Sequence, residues 1–274
     1  MSSKGKEGVS TPQADTLADR MKTYEAPFEY TLPANSPVIL RLDGHRFSRF
    51  TKHFDRPFDQ RIHNAMVATS SDLLKYFPSA TVAYTQSDEI TLVFPNGVQS
   101  FNDRVQKLAS LASSYCSVRF GGHLRNFLAE TPEPKVEEST FEDITFAHFD
   151  ARWYAVPSVE EALNVLLWRC RGDAVRNAIT AFARTLYSTQ EMHKKHYNQL
   201  LEMMKTEKGV QFEESVPKWA LQGCLLKREQ FEHQGHNPKT GLREATLRVR
   251  TRVEYRGVTE FNDKNLRLVT DKYW

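Results

Sequence analysis

The sequence predicts an α/β fold of the α+β kind. A split β-α-β-β-α-β, ferredoxin-like unit is followed by a mostly helical part that carries a basic β-hairpin. Three observations predict it. The β-rich run Val38-Ile39-Leu40-Arg41-Leu42 ends in Asp43-Gly44, two stretches of helical spacing follow it, and between them two short β-rich runs flank Gln86-Ser87-Asp88-Glu89.

Taken in order, residues 1–18 are rich in Ser, Lys, Gly and Thr and are expected to be disordered. Order is expected from Asp19, and residues 19–157 form the first domain. Asp59 is the N-cap of a helix that carries Ile62, Met66, Leu73, Leu74 and Phe77 and stops at Pro78. Residues 81–85 and 90–94 form a hairpin. Phe101, Val105, Leu108, Ala112 and Tyr115 mark a second helix, and the Gly-, Pro- and Glu-bearing stretch 121–140 reads as a loop. Residues 146–156 return to a strand. Palm domains of nucleotide polymerases share this order, which by itself assigns no activity. Residues 158–274 form the second part. They read as helix over 159–186 with an interruption near Gly172, helix over about 190–204, and then two strands around an Asn237-Pro238-Lys239-Thr240-Gly241 turn.

Lys plus Arg is 37 and Asp plus Glu is 34, a net charge of +3, so overall charge does not select a polyanion partner. No run of about 18 apolar residues is present, which argues against a membrane partner. The N-terminus lacks the apolar core of a secretory signal. Cys116, Cys170 and Cys224 are odd in number and widely spaced. That spacing argues against a disulfide scaffold or a Cys-built zinc site and for a reducing intracellular compartment, the cytoplasm ahead of the mitochondrion.

Asp43 and Asp88 follow strands that are central neighbours in a split βαβ sheet, so their carboxylates can converge. Two close carboxylates repel unless a cation lies between them, and Mg²⁺ accepts one or two carboxylates together with phosphates and water. Turn formation is the alternative role for both. The backbone over Gly44 to Phe50 can face a phosphate, although a single Gly is a weak signal. Arg104 and Lys107 share a helix face, suited either to a triphosphate or to solvent. Arg248, Arg250 and Arg252 alternate with β-branched residues, so one strand face carries three guanidiniums that nothing along the strand neutralises. That face suits RNA phosphates or plain solvent exposure. His193 and His196, with two Lys between them, read as a solvated basic helix.

Together, Arg41-Leu42-Asp43-Gly44-x-x-Phe47-x-x-Phe50 and Gln86-Ser87-Asp88-Glu89 resemble the signature pair of the tRNA(His) guanylyltransferase family. Supporting matches are Asp19-Arg20-Met21-Lys22-x-Tyr24-Glu25, Phe149-Asp150-x-Arg152, Trp168-Arg169 and the Asn237-Pro238-x-Thr240-Gly241 tail, so the resemblance spans residues 19 to 255. It implies a polymerase-like palm that adds nucleotides to the 5′ end of tRNA. It further implies that Asp43, the Gly44 carbonyl and Asp88 hold two Mg²⁺ ions with Glu89 in support. Arg46, Phe47 and Ser48 would cradle an activating ATP or GTP with Asp59 near its base, and Ser87, Arg104 and Lys107 would contact the incoming NTP. Arg176 and Asn177 would meet tRNA, and the assembly would be a homotetramer.

Two departures refine the expectation. Where the eukaryotic tRNA(His) enzymes carry a His-Ile-Asn-Asn run, this chain has Val175-Arg176-Asn177-Ala178, and Ser48 stands where a His is common. The chain therefore resembles the guanylyltransferase-like branch, which repairs tRNA 5′ ends against the opposite strand. Addition of a single G to tRNA(His), and an RNA-binding protein with an inactive palm, are the competing readings.

Overall fold

The computed structural model describes residues 16–133, 135–136, 144–236 and 241–274. Among them, six antiparallel strands form one sheet in the order β4-β1-β3-β2-β5-β6. The strands are β1 (Val38–Gly44), β2 (Val82–Gln86), β3 (Glu89–Phe94), β4 (Phe149–Ala155), β5 (Cys224–His236) and β6 (Arg243–Glu254). The first four reproduce the order and antiparallel pairing that the split βαβ pattern predicts. The chain beyond 157 returns to the same sheet, because β5 pairs with β2.

The helices, in chain order, begin with α1 (Leu17–Glu25), α2 (Phe47–Phe50), α3 (Gln60–Tyr76), α4 (Val105–Glu130), α5 (Val159–Trp168) and α6 (Ala174–Leu186). They continue with α7 (Thr189–Met192), α8 (Tyr197–Lys208), α9 (Phe212–Ser215), α10 (Lys218–Gln222) and α11 (Asp263–Thr270).

Period two divides β1 between two cores. Val38, Leu40 and Leu42 face α3 and α4, where they pack with Leu73, Phe77, Leu108 and Phe120. Ile39 faces the other way, toward α5 and α11, with Val82, Val93, Leu166 and Leu268. Arg41 and Asp43 follow Ile39 on that second face. A third cluster, including Ile179, Ala183, Leu200, Met204 and Phe212, joins α6 to α8 and α9.

Four expectations are corrected. Residues 121–130 continue α4: Leu108, Ala112, Cys116, Phe120, Leu124 and Leu128 are all buried at a strict four-residue interval, and that burial outweighs the roughly 1 kcal/mol cost of each helical Gly. The expected loop over 131–140 lies partly outside the described residues. The single helix over 190–204 is instead α7 and α8, parted where Lys194 takes φ +58, with Ser188–Glu191 and His196–Gln199 capping boxes opening each piece. His193 and His196 therefore sit at helix ends rather than on one face. Finally, α1 is capped at Thr16, ahead of the expected start at Asp19, its hydroxyl accepting the Asp19 N–H in a capping box, and α11 was not foreseen, although Asn262 caps it by accepting the Asn265 N–H. The expected disorder of residues 1–15 lies outside the described residues, as does the turn over 237–240.

Candidate active site

The sheet register brings the acidic residues to one end. Asp43 stands opposite Glu89 on β3 and opposite Asp150 on β4, and the Gly44 N–H donates to the Asp88 carbonyl at 3.0 Å. Residues directly opposite in an antiparallel ladder share a face, so Asp150, Asp43 and Glu89 form one row. Ser87 takes φ +56 to close the β2–β3 turn, and its hydroxyl donates to the Asp88 carboxylate at 3.0 Å.

These carboxylates are not equivalent. Arg169 clamps Glu89, its Nε donating to Oε1 at 2.6 Å and an Nη donating to Oε2, while another Nη donates to Asp173. Asp173 in turn accepts from Arg176. Arg152 lies 3.4 Å from Asp150. Among the described residues, no cation pairs with Asp88. Burial raises its carboxyl above the usual range, and the neighbouring Asp43 raises it further. The chemistry left over is a half-buried carboxylate pair short of positive charge. Among the described residues, no group of three or more His, Cys, Asp or Glu converges to hold a metal unaided. A site completed by substrate phosphates and water fits that donor set, which is the Mg²⁺ pattern.

Asp88 opens onto a cleft of about 860 Å³. Phe47, Ser48 and Ser87 line it beside Asp88, and Arg176 and Asn177 line the α6 wall. Arg46, left-handed at φ +52, turns the chain into α2, whose first N–H groups lack intrahelical partners. The Phe47 ring anchors this turn by packing on Phe50, Phe120 and Phe149 with centroids 5.0–5.3 Å apart. The floor is aromatic: the Trp219 indole stacks on His63 at 4.1 Å and donates to Gln60.

Three expected contacts fall elsewhere or are already engaged. Asp59 lines the cleft but spends both oxygens within the chain, accepting the Arg61 N–H at 2.8 Å and pairing with the Arg61 guanidinium at 2.6 Å. Arg104 and Lys107 are not brought to the cleft. They lie at the opposite end of the sheet, where Thr31 bridges Arg104 and the Val105 N–H donates to Tyr30. Sixteen residues of chain, about 24 Å of helix, separate Arg104 from Phe120, the α4 residue that touches Phe47. Arg104 also pairs with Glu29 at 3.1 Å.

The expected unneutralised arginine strand is corrected as well. Glu229, across the ladder, accepts from Arg250 at 2.7 Å and from Arg252 at 3.2 Å, and Glu254 pairs with Arg252 and Arg256. Glu229 lies on the partner strand, which reading along one strand cannot reveal, whereas Glu254 ends the arginine strand itself, two residues from Arg252. Arg248, opposite Phe231, stays exposed.

Sequence reading missed four participants. Arg169 was noted only as part of a motif, and its partner Glu89 is 80 residues away. Trp219 lines the cleft stacked on His63, from which it is 156 residues away along the chain. Thr180 and Arg184 also line the cleft, and their four- and eight-residue spacing from Arg176 was a signal available in the sequence.

With this geometry in hand, comparisons with known proteins are specific. The profile of the tRNAHis guanylyltransferase (Thg1) family matches residues 18–157. An uncharacterised protein of Acanthamoeba polyphaga mimivirus is 30% identical over 95% of this chain and 91% of its own length. The tRNA(His) guanylyltransferase of Saccharomyces cerevisiae is 26% identical over 70% of this chain and 82% of its own. The solved structure of a bacterial tRNA(His) guanylyltransferase-like protein in complex with ATP superposes with a TM-score of 0.72 at 26% identity, covering 93% of this chain and 99% of that one. No helix among the described residues is long and apolar enough to cross a membrane. The palm-like sheet, the carboxylate end and the matched residues together make this chain a member of the tRNAHis guanylyltransferase (Thg1) family of nucleotidyltransferases.

Proposed function

We propose that this chain adds nucleotides to the 5′ end of tRNA in the 3′→5′ direction, copying the opposite strand, and so repairs shortened 5′ ends. One observation carries the reading: Asp88, whose carboxyl burial and the neighbouring Asp43 push up, has no ion-pair partner among the described residues and lines a cleft whose α6 wall carries Arg176 and Arg184. Asp43, the Gly44 carbonyl and Asp88 would hold two Mg²⁺ ions, which supply charge to stabilise the attacking and leaving oxygens of in-line phosphoryl transfer.

In the first step the 5′-monophosphate oxygen of tRNA bonds to the α-phosphorus of ATP or GTP, and pyrophosphate leaves. In the second, the 3′-oxygen of an incoming NTP bonds to the activated 5′ phosphorus, and the nucleoside monophosphate leaves. The new 5′ end then carries the triphosphate of the added nucleotide. The chain's own residues bind and orient. The backbone at Arg46, Phe47 and Ser48 faces the activating triphosphate, and Ser87 sits beside Asp88 at the point of transfer. Glu89, locked by Arg169, keeps its row fixed. Arg104 and Lys107 can serve an incoming triphosphate only at the centre of a neighbouring copy, which favours an oligomer, with a homotetramer the family-like form.

Addition of a single G to tRNA(His) is the second reading, and Val175 in place of a family His speaks against it. Incubation with ATP, all four NTPs and 5′-monophosphorylated tRNAs lacking their first nucleotide separates the two. Template-matched extension of several tRNAs is the expected result. G addition confined to full-length tRNA(His) would replace the repair reading.

A further inference from the structure

The α6 wall of the cleft has a feature that the two-metal chemistry does not use. Arg176, Thr180 and Arg184 occupy one face at four-residue steps and all line the cavity. Arg176 and Arg184 are eight residues apart, about 12 Å along the helix. Arg176 leans toward Asp173, one turn toward the N-terminus, which keeps the two guanidiniums apart. Arg184 is exposed and makes no hydrogen bond or ion pair among the described residues. Such a guanidinium, beside a cleft, is placed to take an anion from a ligand.

We infer that this face is a rail for the sugar–phosphate backbone of the tRNA 5′ strand, with Arg176 and Arg184 taking two non-adjacent phosphates and Trp219 taking a base. The inference rests on the tRNA reading above and deepens it. A triphosphate, whose phosphorus atoms are joined through single bridging oxygens, is too compact to engage two cations held a dozen ångströms apart, whereas an RNA strand repeats its charge along its length. The cleft is also asymmetric in the way a strand requires. Its wall is cationic, and its floor is a rigid indole fixed by the His63 stack and by the Gln60 hydrogen bond. Flat bases stack on such a floor without regard to sequence. With the reacting 5′ phosphate at Asp43 and Asp88, the strand leaves the site past Arg176 and then past Arg184.

The test is equilibrium binding of 5′-monophosphorylated tRNA across a KCl series, with ATP binding measured in parallel. The proteins are wild type, Arg184→Ala, and Arg125→Ala as a charge-matched control on the exposed face of α4. Arg184→Ala should weaken tRNA binding several-fold, lower the salt slope by about 0.7–0.9 for the lost phosphate contact, and leave ATP affinity in place. Arg125→Ala should move neither. Trp219→Leu should weaken tRNA binding and Trp219→Phe should restore it. An unchanged tRNA slope in Arg184→Ala, or a loss of ATP affinity instead, overturns the rail while the tRNA reading stands. A wild type that binds no tRNA removes both.

Discussion

Arg169 grips both carboxylate oxygens of Glu89, joining the end of the sheet to the π-helical turn Arg169–Asp173 between α5 and α6. Both side chains are largely buried, at 9% and 16% exposure. The guanidinium also lies over the Trp168 ring, 4.7 Å from its centroid. Through Asp173 the same network reaches Arg176, so the row beside Asp43 and the wall of the cleft share one chain of alternating charge.

This pair is expected to show strong coupling. Arg169→Ala leaves a buried carboxylate without its cation, a change that costs about 3–5 kcal/mol when a buried pair is broken. In a Glu89→Gln background the same substitution should cost far less. Urea unfolding of both single variants and the double variant measures the difference, and additive losses would show that the clamp carries no interaction energy.

His63 gives the fold a defined acid sensitivity. Burial lowers its pKa from 6.5 to about 4, so the folded ring stays neutral while the unfolded ring protonates near 6.5. The contribution is fully present above about pH 6.5 and is lost as pH falls toward 4, up to about 3 kcal/mol. Thermal unfolding between pH 7 and 4 should show a shallower decline in His63→Phe, which keeps a ring against Trp219. Parallel curves for the two proteins would assign the acid loss to other groups.

Gly44 ties β1 to the turn that follows. A Cβ there would collide with the Phe47 ring, which is buried at 4% exposure among Phe50, Phe120 and Phe149. Gly44→Ala should therefore destabilise the protein by about 1–3 kcal/mol, the usual cost of overpacking. It should also weaken ATP binding by displacing the backbone at Phe47 and Ser48. Calorimetric ATP titration beside a melting curve checks both, and an unchanged affinity in the folded variant would detach this turn from the nucleotide.

Much of this was legible in the sequence because it is local or periodic. The alternation in β1, the Asp59 cap and the Gln86–Glu89 turn fix the sheet order, and the sheet order alone brings Asp43 beside Glu89 and Asp88. What the sequence concealed depends on partners far away along the chain. Glu229 neutralises Arg250 and Arg252 only through the β5–β6 register, Arg169 finds Glu89 only across the sheet, and Arg104 lies at the wrong end because α4 runs the length of the molecule. The helix itself runs on past Gly121 and Gly122, two residues that signal a loop in sequence, because the buried stripe of Cys116, Phe120, Leu124 and Leu128 passes through them.

The proposed transfer of nucleotides to a tRNA 5′ end centres on Asp43 and Asp88. Its most direct measurement follows label from α-phosphate-labelled ATP onto 5′-monophosphorylated tRNA in Mg²⁺, comparing wild type with Asp88→Asn. The wild type is expected to give an adenylylated 5′ end, and Asp88→Asn none, although the variant still binds tRNA and melts as a folded protein. Equal labelling by a folded Asp88→Asn protein would contradict it.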